Sequence, residues 1–216
     1  MSCYPDNWRV DKGNADSNTV VLFAHGAGAD MDSEFMVAIA QGLAANGLDV
    51  VRFNFPYMAK CRLDGKRRPP DRAPALLENF RQQLRLVTEL FAPDQIILMG
   101  KSMGGRMAIM LASEDLLAEV RGVICLGYPF LPKGKLLPRL EPLQQCRLPL
   151  MIFQGERDSF GGKVQIPQWH LPTSLNLNFV DDGDHSFVPR KAAATSLAMN
   201  YAKVIDGSLS FIRSLL

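Results

Sequence analysis

Residues 98–106, Leu98-Met99-Gly100-Lys101-Ser102-Met103-Gly104-Gly105-Arg106 (LMGKSMGGR), support two incompatible readings. Gly100-Lys101-Ser102 ends like a phosphate-binding P-loop. Gly100-Lys101-Ser102-Met103-Gly104 matches G-x-S-x-G, the tight turn that presents a serine nucleophile. A P-loop would need a glycine at position 95 and a bare, looping backbone after it, so that several N–H groups converge on phosphate. Position 95 is Gln95, and Ile96, Ile97, Leu98 and Met99 follow it as a strand core. The phosphate reading therefore fails. The alternative requires a strand, a sharp turn with serine at its tip, and a helix. Residues 95–99 predict the strand and residues 103–113 the helix, with Gly100 and Gly104 bare where the turn closes on itself.

The segments around this turn repeat one theme. Residues 19–25 (TVVLFAH), 48–55, 121–127, 148–154 and 175–180 are short apolar runs that predict strands. Between them lie helical patterns. Residues 33–46 carry Phe35, Met36, Ile39 and Leu43 on one face and stop at Gly47. Residues 75–91 carry Leu76, Leu77, Phe80, Leu84, Val87 and Phe91 at spacings of three and four, with Pro74 in the first turn. Residues 197–215 predict a closing helix, disturbed at Gly207. Apolar strands alternating with helices predict an α/β fold: a mostly parallel sheet of about six or seven strands, covered on both faces. Ligands of such sheets bind at the carboxyl ends of the strands.

Composition narrows the partners. The 216 residues are 47% hydrophobic, enough to bury a sizeable core in one domain spanning 1–216. Lys and Arg number 24 against 22 for Asp and Glu, which points to neither nucleic acid nor a strongly acidic substrate. The polar start, MSCYPDNWRVDKG, has no apolar core of a signal peptide, and apolar stretches break well short of a membrane span. Cys3, Cys61, Cys125 and Cys146 form no C-x-x-C pair, so reduced thiols in a cytoplasmic protein are expected, with no metal site.

A serine hydroxyl needs a base to take its proton, and the base needs a carboxylate to orient it. With a strand–elbow–helix nucleophile, the chain order is Ser, acid, His. Only three histidines exist. His185, in DDGDHSF after the last predicted strand, has the right place and order. His25, in AHGAG, precedes the serine and marks a loop whose backbone N–H groups can bind an oxyanion. Ala27 is the expected donor there, with Gly28 the second choice, beside Met103 after the serine. A dinucleotide-binding reading of GAGADM fails because Met31 stands where the third glycine belongs. His170, between prolines in PQWHLP, reads as structural or surface. Asp158, in FQGERD, is the expected acid and Glu156 its nearest rival. Asp181, Asp182 and Asp184 crowd His185 in sequence, where they read as turn-formers.

Together HGAG at His25, GKSMGG at Ser102, GERD at Asp158 and GDHSF at His185 resemble the α/β-hydrolase family over nearly the whole chain. The likeness is to small, lidless, dienelactone-hydrolase-like proteins. FNFPYM (53–58) and RRPPD (67–71) resemble a branch that includes the third subunit of the NSL chromatin complex. The resemblance implies a Ser-His-Asp hydrolase without metal or organic cofactor, and an ester or thioester carbonyl is the expected target of Ser102. Some members of the narrower branch serve as interaction modules. Ser102 departs from the dienelactone hydrolases, which carry cysteine at that position, so dienelactone is a doubtful substrate. Two long predicted loops, residues 56–73 and 128–147, follow strands and should overhang the site. Their basic residues, including Arg62, Arg68 and Arg139, either attract an anionic acyl group or are simply solvated.

Overall fold

The computed structural model describes residues 4–13, 18–114 and 116–215. Cys3 lies outside the described residues, and Cys61, Cys125 and Cys146 are free thiols. Seven strands, β1 (Trp8–Asp11), β2 (Thr19–Ala24), β3 (Asp49–Phe53), β4 (Gln95–Lys101), β5 (Val120–Leu126), β6 (Leu150–Gly155) and β7 (Asn176–Val180), form a single sheet in the order β1-β3-β2-β4-β5-β6-β7. Only β1 runs antiparallel, against β3; the other neighbours are parallel. Every residue of β2, β4 and β6 is buried. Strands covered on both faces have no polar side to alternate with, hence the continuous apolar runs.

Among the described residues, six α-helices complete the layers: α1 (Glu34–Ala44), α2 (Pro56–Asp64), α3 (Ala73–Phe91), α4 (Met103–Leu111), α5 (Glu141–Gln145) and α6 (Leu197–Arg213). On one face, Leu76, Phe80, Leu84 and Val87 of α3 and Met107 of α4 pack with Ile96 and Leu98 of β4. On the other, Met36 and Ile39 of α1 and Val204 and Ile212 of α6 pack with Ile97 and Met99. The period-two alternation of β4 thus feeds two cores. Each large apolar side chain buried this way contributes about 1.5–3 kcal/mol. No described helix is long and apolar enough to cross a membrane.

Four elements differ from the sequence-based expectation. β1 was not expected. Its four residues are too few to show a pattern, and Arg52 of β3 holds it by donating to Asp11 Oδ2 at 2.8 Å. The two long loops each contain a helix, α2 and α5. α2 buries only Tyr57, so it has no apolar stripe to betray it, and α5 has only five residues. Finally, α6 runs unbroken through Gly207. A Cβ there would lie 2.7 Å from the Phe153 ring, so this glycine provides a close helix–sheet approach rather than a break.

Candidate active site

The site is built at the carboxyl edge of the sheet. Ser102 is the N-cap residue of α4 and joins it directly to β4, with φ 51° and ψ −109°. A side chain in this left-handed region is strained by on the order of 1–3 kcal/mol, a cost the surroundings must impose. They do so by close packing. A Cβ on Gly100 would stand 2.2 Å from the carbonyl carbon of Gly104, and one on Gly104 would stand 2.5 Å from the carbonyl oxygens of Ala24 and His25. The two glycines of the motif are therefore required by contact. The structure places a strand where the discarded phosphate loop would have been.

Three side chains from three strand ends meet at the turn. His185, in the turn after β7, lies with Nε2 2.9 Å from Ser102 Oγ and Nδ1 2.7 Å from Asp158 Oδ2. Asp158 follows β6, and its carboxylate side chain has no exposed surface while the imidazole is a quarter exposed. A buried carboxylate needs donors. Phe160 N–H supplies one to Oδ1 at 2.8 Å, and Gln154 Nε2 supplies another to Oδ2 at 2.9 Å. Gln154, the fifth residue of β6, also donates to the carbonyls of Gly161 and Tyr128 at 2.9 and 3.2 Å. Sequence reasoning missed it. A glutamine in a buried strand was the available signal, since a buried amide demands partners.

The other acidic candidates are engaged elsewhere. Glu156 binds Lys163 Nζ at 2.5 Å and accepts from Asp182 N–H at 2.9 Å. Asp182 pairs with Arg190 at 2.6 Å and Asp181 with Lys203 at 2.9 Å. Asp184 accepts from the N–H groups of Ser186 and Val188 at 2.7 and 3.0 Å, shaping the turn that carries His185. His170 is exposed, just past a short 3-10 turn.

His25 is fully buried. Its Nδ1 donates to Gly26 O at 2.6 Å, and its Nε2 accepts from Phe55 N–H at 3.0 Å. This pattern fixes the neutral Nδ1–H tautomer. Tyr57 donates to Ala27 O at 3.1 Å. In a trans peptide, N–H and C=O point opposite ways. With the Gly26 and Ala27 carbonyls held by His25 and Tyr57, the N–H groups of Ala27 and Gly28 face away from those partners. The loop lies against the elbow: a Cβ on Gly26 would be 3.7 Å from Ser102 Cβ. Met103 opens α4, where backbone N–H groups have no partner within the helix.

Burial lowers the His25 pKa from 6.5 to about 4. The sign of the pH dependence follows. The unfolded chain takes up this proton near pH 6.5, whereas the folded one refuses it until about pH 4. Folding stability should therefore fall as pH drops through that window, by on the order of 3 kcal/mol. Urea midpoints measured at pH 7 and pH 4.5 check this. The His25→Gln variant should be less stable at pH 7 and lose less on acidification; an equal loss would exclude His25 as the source.

A cleft of about 390 Å³ opens beside Ser102 and His185, walled by Ala27, Phe35, Met36 and Phe160, with Lys101 at its edge. The Phe160 ring lies 4.6 Å from the His185 ring. A larger cavity of about 520 Å³, at the opposite edge where β5 and β6 begin, contains no Ser, Cys or His and has no bearing on this chemistry. The basic residues expected to overhang the site are partly neutralised. Arg62 binds Asp30 and Asp32 at 2.7 and 2.6 Å, and Arg68 binds Asp64 at 2.5 Å.

A mostly parallel sheet, a strained serine between β4 and α4, and a histidine and carboxylate arriving from later strands define the α/β-hydrolase architecture. Residues 17–213 match the model of the alpha/beta hydrolase domain, and the chain belongs to that family. Among solved structures it is similar to an alpha-beta serine hydrolase homologue from Coxiella burnetii, with 19% identity and a TM-score of 0.72 over 93% of this chain and 90% of that one. A lidless serine hydrolase from Xanthomonas campestris matches with 18% identity and a TM-score of 0.68, over 94% of this chain and 88% of that one. A dienelactone hydrolase from Anabaena variabilis matches with 18% identity and a TM-score of 0.67, over 94% of this chain and 90% of that one. These likenesses establish the fold, that of the α/β hydrolases.

Proposed function

We propose that the protein is a serine hydrolase that cleaves a small carboxylic ester or thioester through an acyl-enzyme intermediate. The observation that carries this reading is the unbroken relay from Asp158 through His185 to Ser102, with both links within 2.9 Å. In this mechanism Ser102 Oγ attacks the carbonyl carbon and its proton passes to His185 Nε2. Asp158 accepts from Nδ1–H, fixing the tautomer and stabilising the imidazolium that forms. The N–H groups of Met103 and Ala27 bind the oxyanion. As the carbonyl re-forms, His185 gives its proton to the departing alcohol or thiol, leaving an acyl-serine. A water then attacks the acyl carbon while His185 accepts its proton; as the acyl–Oγ bond breaks, His185 passes that proton to Ser102 Oγ, releasing the acid and the free enzyme. The apolar walls of the cleft favour an uncharged group beside the reacting carbonyl.

A fluorophosphonate probe tests the reading. The purified protein should become phosphonylated, with the adduct mapping to Ser102 by mass spectrometry, and His185→Ala should lose the labelling. A folded sample that stays unlabelled would leave an idle hydrolase scaffold, one that binds a protein or small ligand, as the better description.

A further inference from the structure

Lys101 is the middle residue between Gly100 and Ser102, and its place in the structure is unusual for a lysine. It is 8% exposed. It shares the sheet face of Ile97 and Met99, so its side chain enters the apolar layer under α1. Its Nζ lies 5.1 Å from the Phe35 ring centroid and 5.7 Å from that of Phe187. Its hydrogen-bond acceptor is a neutral group, the main-chain carbonyl of His185. Asp158, Asp184 and Cys125 act on it only through space, and burial lowers its pKa from 10.5 to about 8, so it remains mostly protonated at pH 7.

Keeping a charge in such a place is costly, and an apolar side chain of similar length would pack there more cheaply. The fold nonetheless makes room for it. Gly127, at φ 69°, would with a Cβ crowd Lys101 Nζ at 2.9 Å and His185 O at 3.1 Å. The turn being held needs restraint. Asp182 and Phe187, on either side of His185, both have positive φ, at 47° and 68°. Such residues persist only where surrounding structure holds them.

We propose that Lys101 is a positioning residue for the hydrolytic reaction: by clamping the His185 carbonyl to the residue next to Ser102, it sets the distance between base and nucleophile. The proposal rests on the serine-hydrolase reading. It assigns to the variable position before the serine a job done through the backbone of the histidine. A misplacement of about 1 Å at a reacting pair costs about a hundredfold in rate, so losing the clamp should slow the chemistry without removing any reacting group.

The test compares fluorophosphonate labelling of wild type, Lys101→Met and Lys101→Arg, separating reversible probe binding from the rate of the covalent step, with thermal melting followed in parallel. Methionine keeps the apolar contacts and removes the donor. The expected result is a Lys101→Met protein that melts within a few degrees of wild type and binds the probe equally well, but phosphonylates Ser102 about 10- to 100-fold more slowly. Lys101→Arg, which restores a donor, should recover part of that loss. If Lys101→Met fails to fold, Lys101→Gln, too short to reach the carbonyl, is tested by the same criteria. A folded Met or Gln variant that labels within twofold of wild type overturns the proposal. The wild-type arm separates the two ideas: if wild type itself does not label, the hydrolase reading has failed, whereas normal wild-type labelling with an indifferent Lys101 sinks only the clamp.

Discussion

Ser102→Ala should abolish nitrophenyl ester hydrolysis down to a small residue, a loss of up to about a millionfold, while leaving the melting temperature nearly unchanged. The magnitude reflects how a Ser-His-Asp unit behaves: its members act together, so removing the nucleophile costs about as much as removing all three. What survives comes from oxyanion binding and substrate positioning. The unchanged stability follows from the backbone. Alanine keeps the Cβ at φ 51°, so it inherits the strain of serine. Ser102→Gly offers a second reading of the same site. It should be equally inactive but more stable by about 1–3 kcal/mol, because glycine adopts that conformation freely. Chemical denaturation of the three proteins checks the ordering. Activity retained by a pure Ser102→Ala sample would remove Ser102 from the mechanism.

Asp158→Asn should lower kcat by about ten-thousandfold with little change in KM. The cause is a mismatch of donors. Asp158 accepts from three sides: His185 Nδ1 and Gln154 Nε2 at Oδ2, and Phe160 N–H at Oδ1. Asparagine has one accepting and one donating end. With its oxygen toward Phe160, its NH₂ confronts Gln154 and forces His185 into the tautomer whose Nε2 cannot take the serine proton. With the oxygen toward His185, its NH₂ confronts the Phe160 N–H. Either way a buried donor is stranded, so stability should also fall by about 1–3 kcal/mol. Steady-state kinetics alongside urea unfolding measure both effects. A variant that kept near wild-type kcat would show that Asp158 does not set the tautomer.

Much of this arrangement was legible in the chain. Strands buried on both faces, such as β2 and β4, are written as unbroken apolar runs. The places of Ser102, Asp158 and His185 follow from the rule that chemistry gathers at the carboxyl ends of such strands. The residues that hold the constellation were harder to see. Lys101 occupies a position the elbow motif leaves open, and its role depends on a turn 84 residues away. Gln154 looks like the polar end of a strand until the carboxylate of Asp158 is folded against it. Tyr57 sits in α2, whose lack of an apolar face hides the helix itself. β1 was missed because four residues on an edge carry too little pattern, even with Trp8 buried at one end. For Lys101, Tyr57 and β1 the missing information was a partner distant in sequence; for Gln154 it was the turn that folds Asp158, four residues on, back against it.

The strand order β4-β5-β6-β7 puts a spacer into the middle of the site. Ser102, Asp158 and His185 follow β4, β6 and β7, while the segment after β5 supplies none of the three. It is pinned near its start, where Tyr128 and Phe130 are buried and Leu131 N–H donates to Phe160 O at 2.7 Å; beyond that, Leu136 and Leu137 are 94% and 80% exposed. The segment is tied down again farther on, where Arg139 N–H donates to Phe130 O at 2.7 Å and Leu143 is buried, so only its tip stands clear. Under the proposed mechanism, substitutions at Leu136 and Leu137 alter a loop tip to which none of Ser102, Asp158 and His185 belongs, so that tip can vary without rearranging the three.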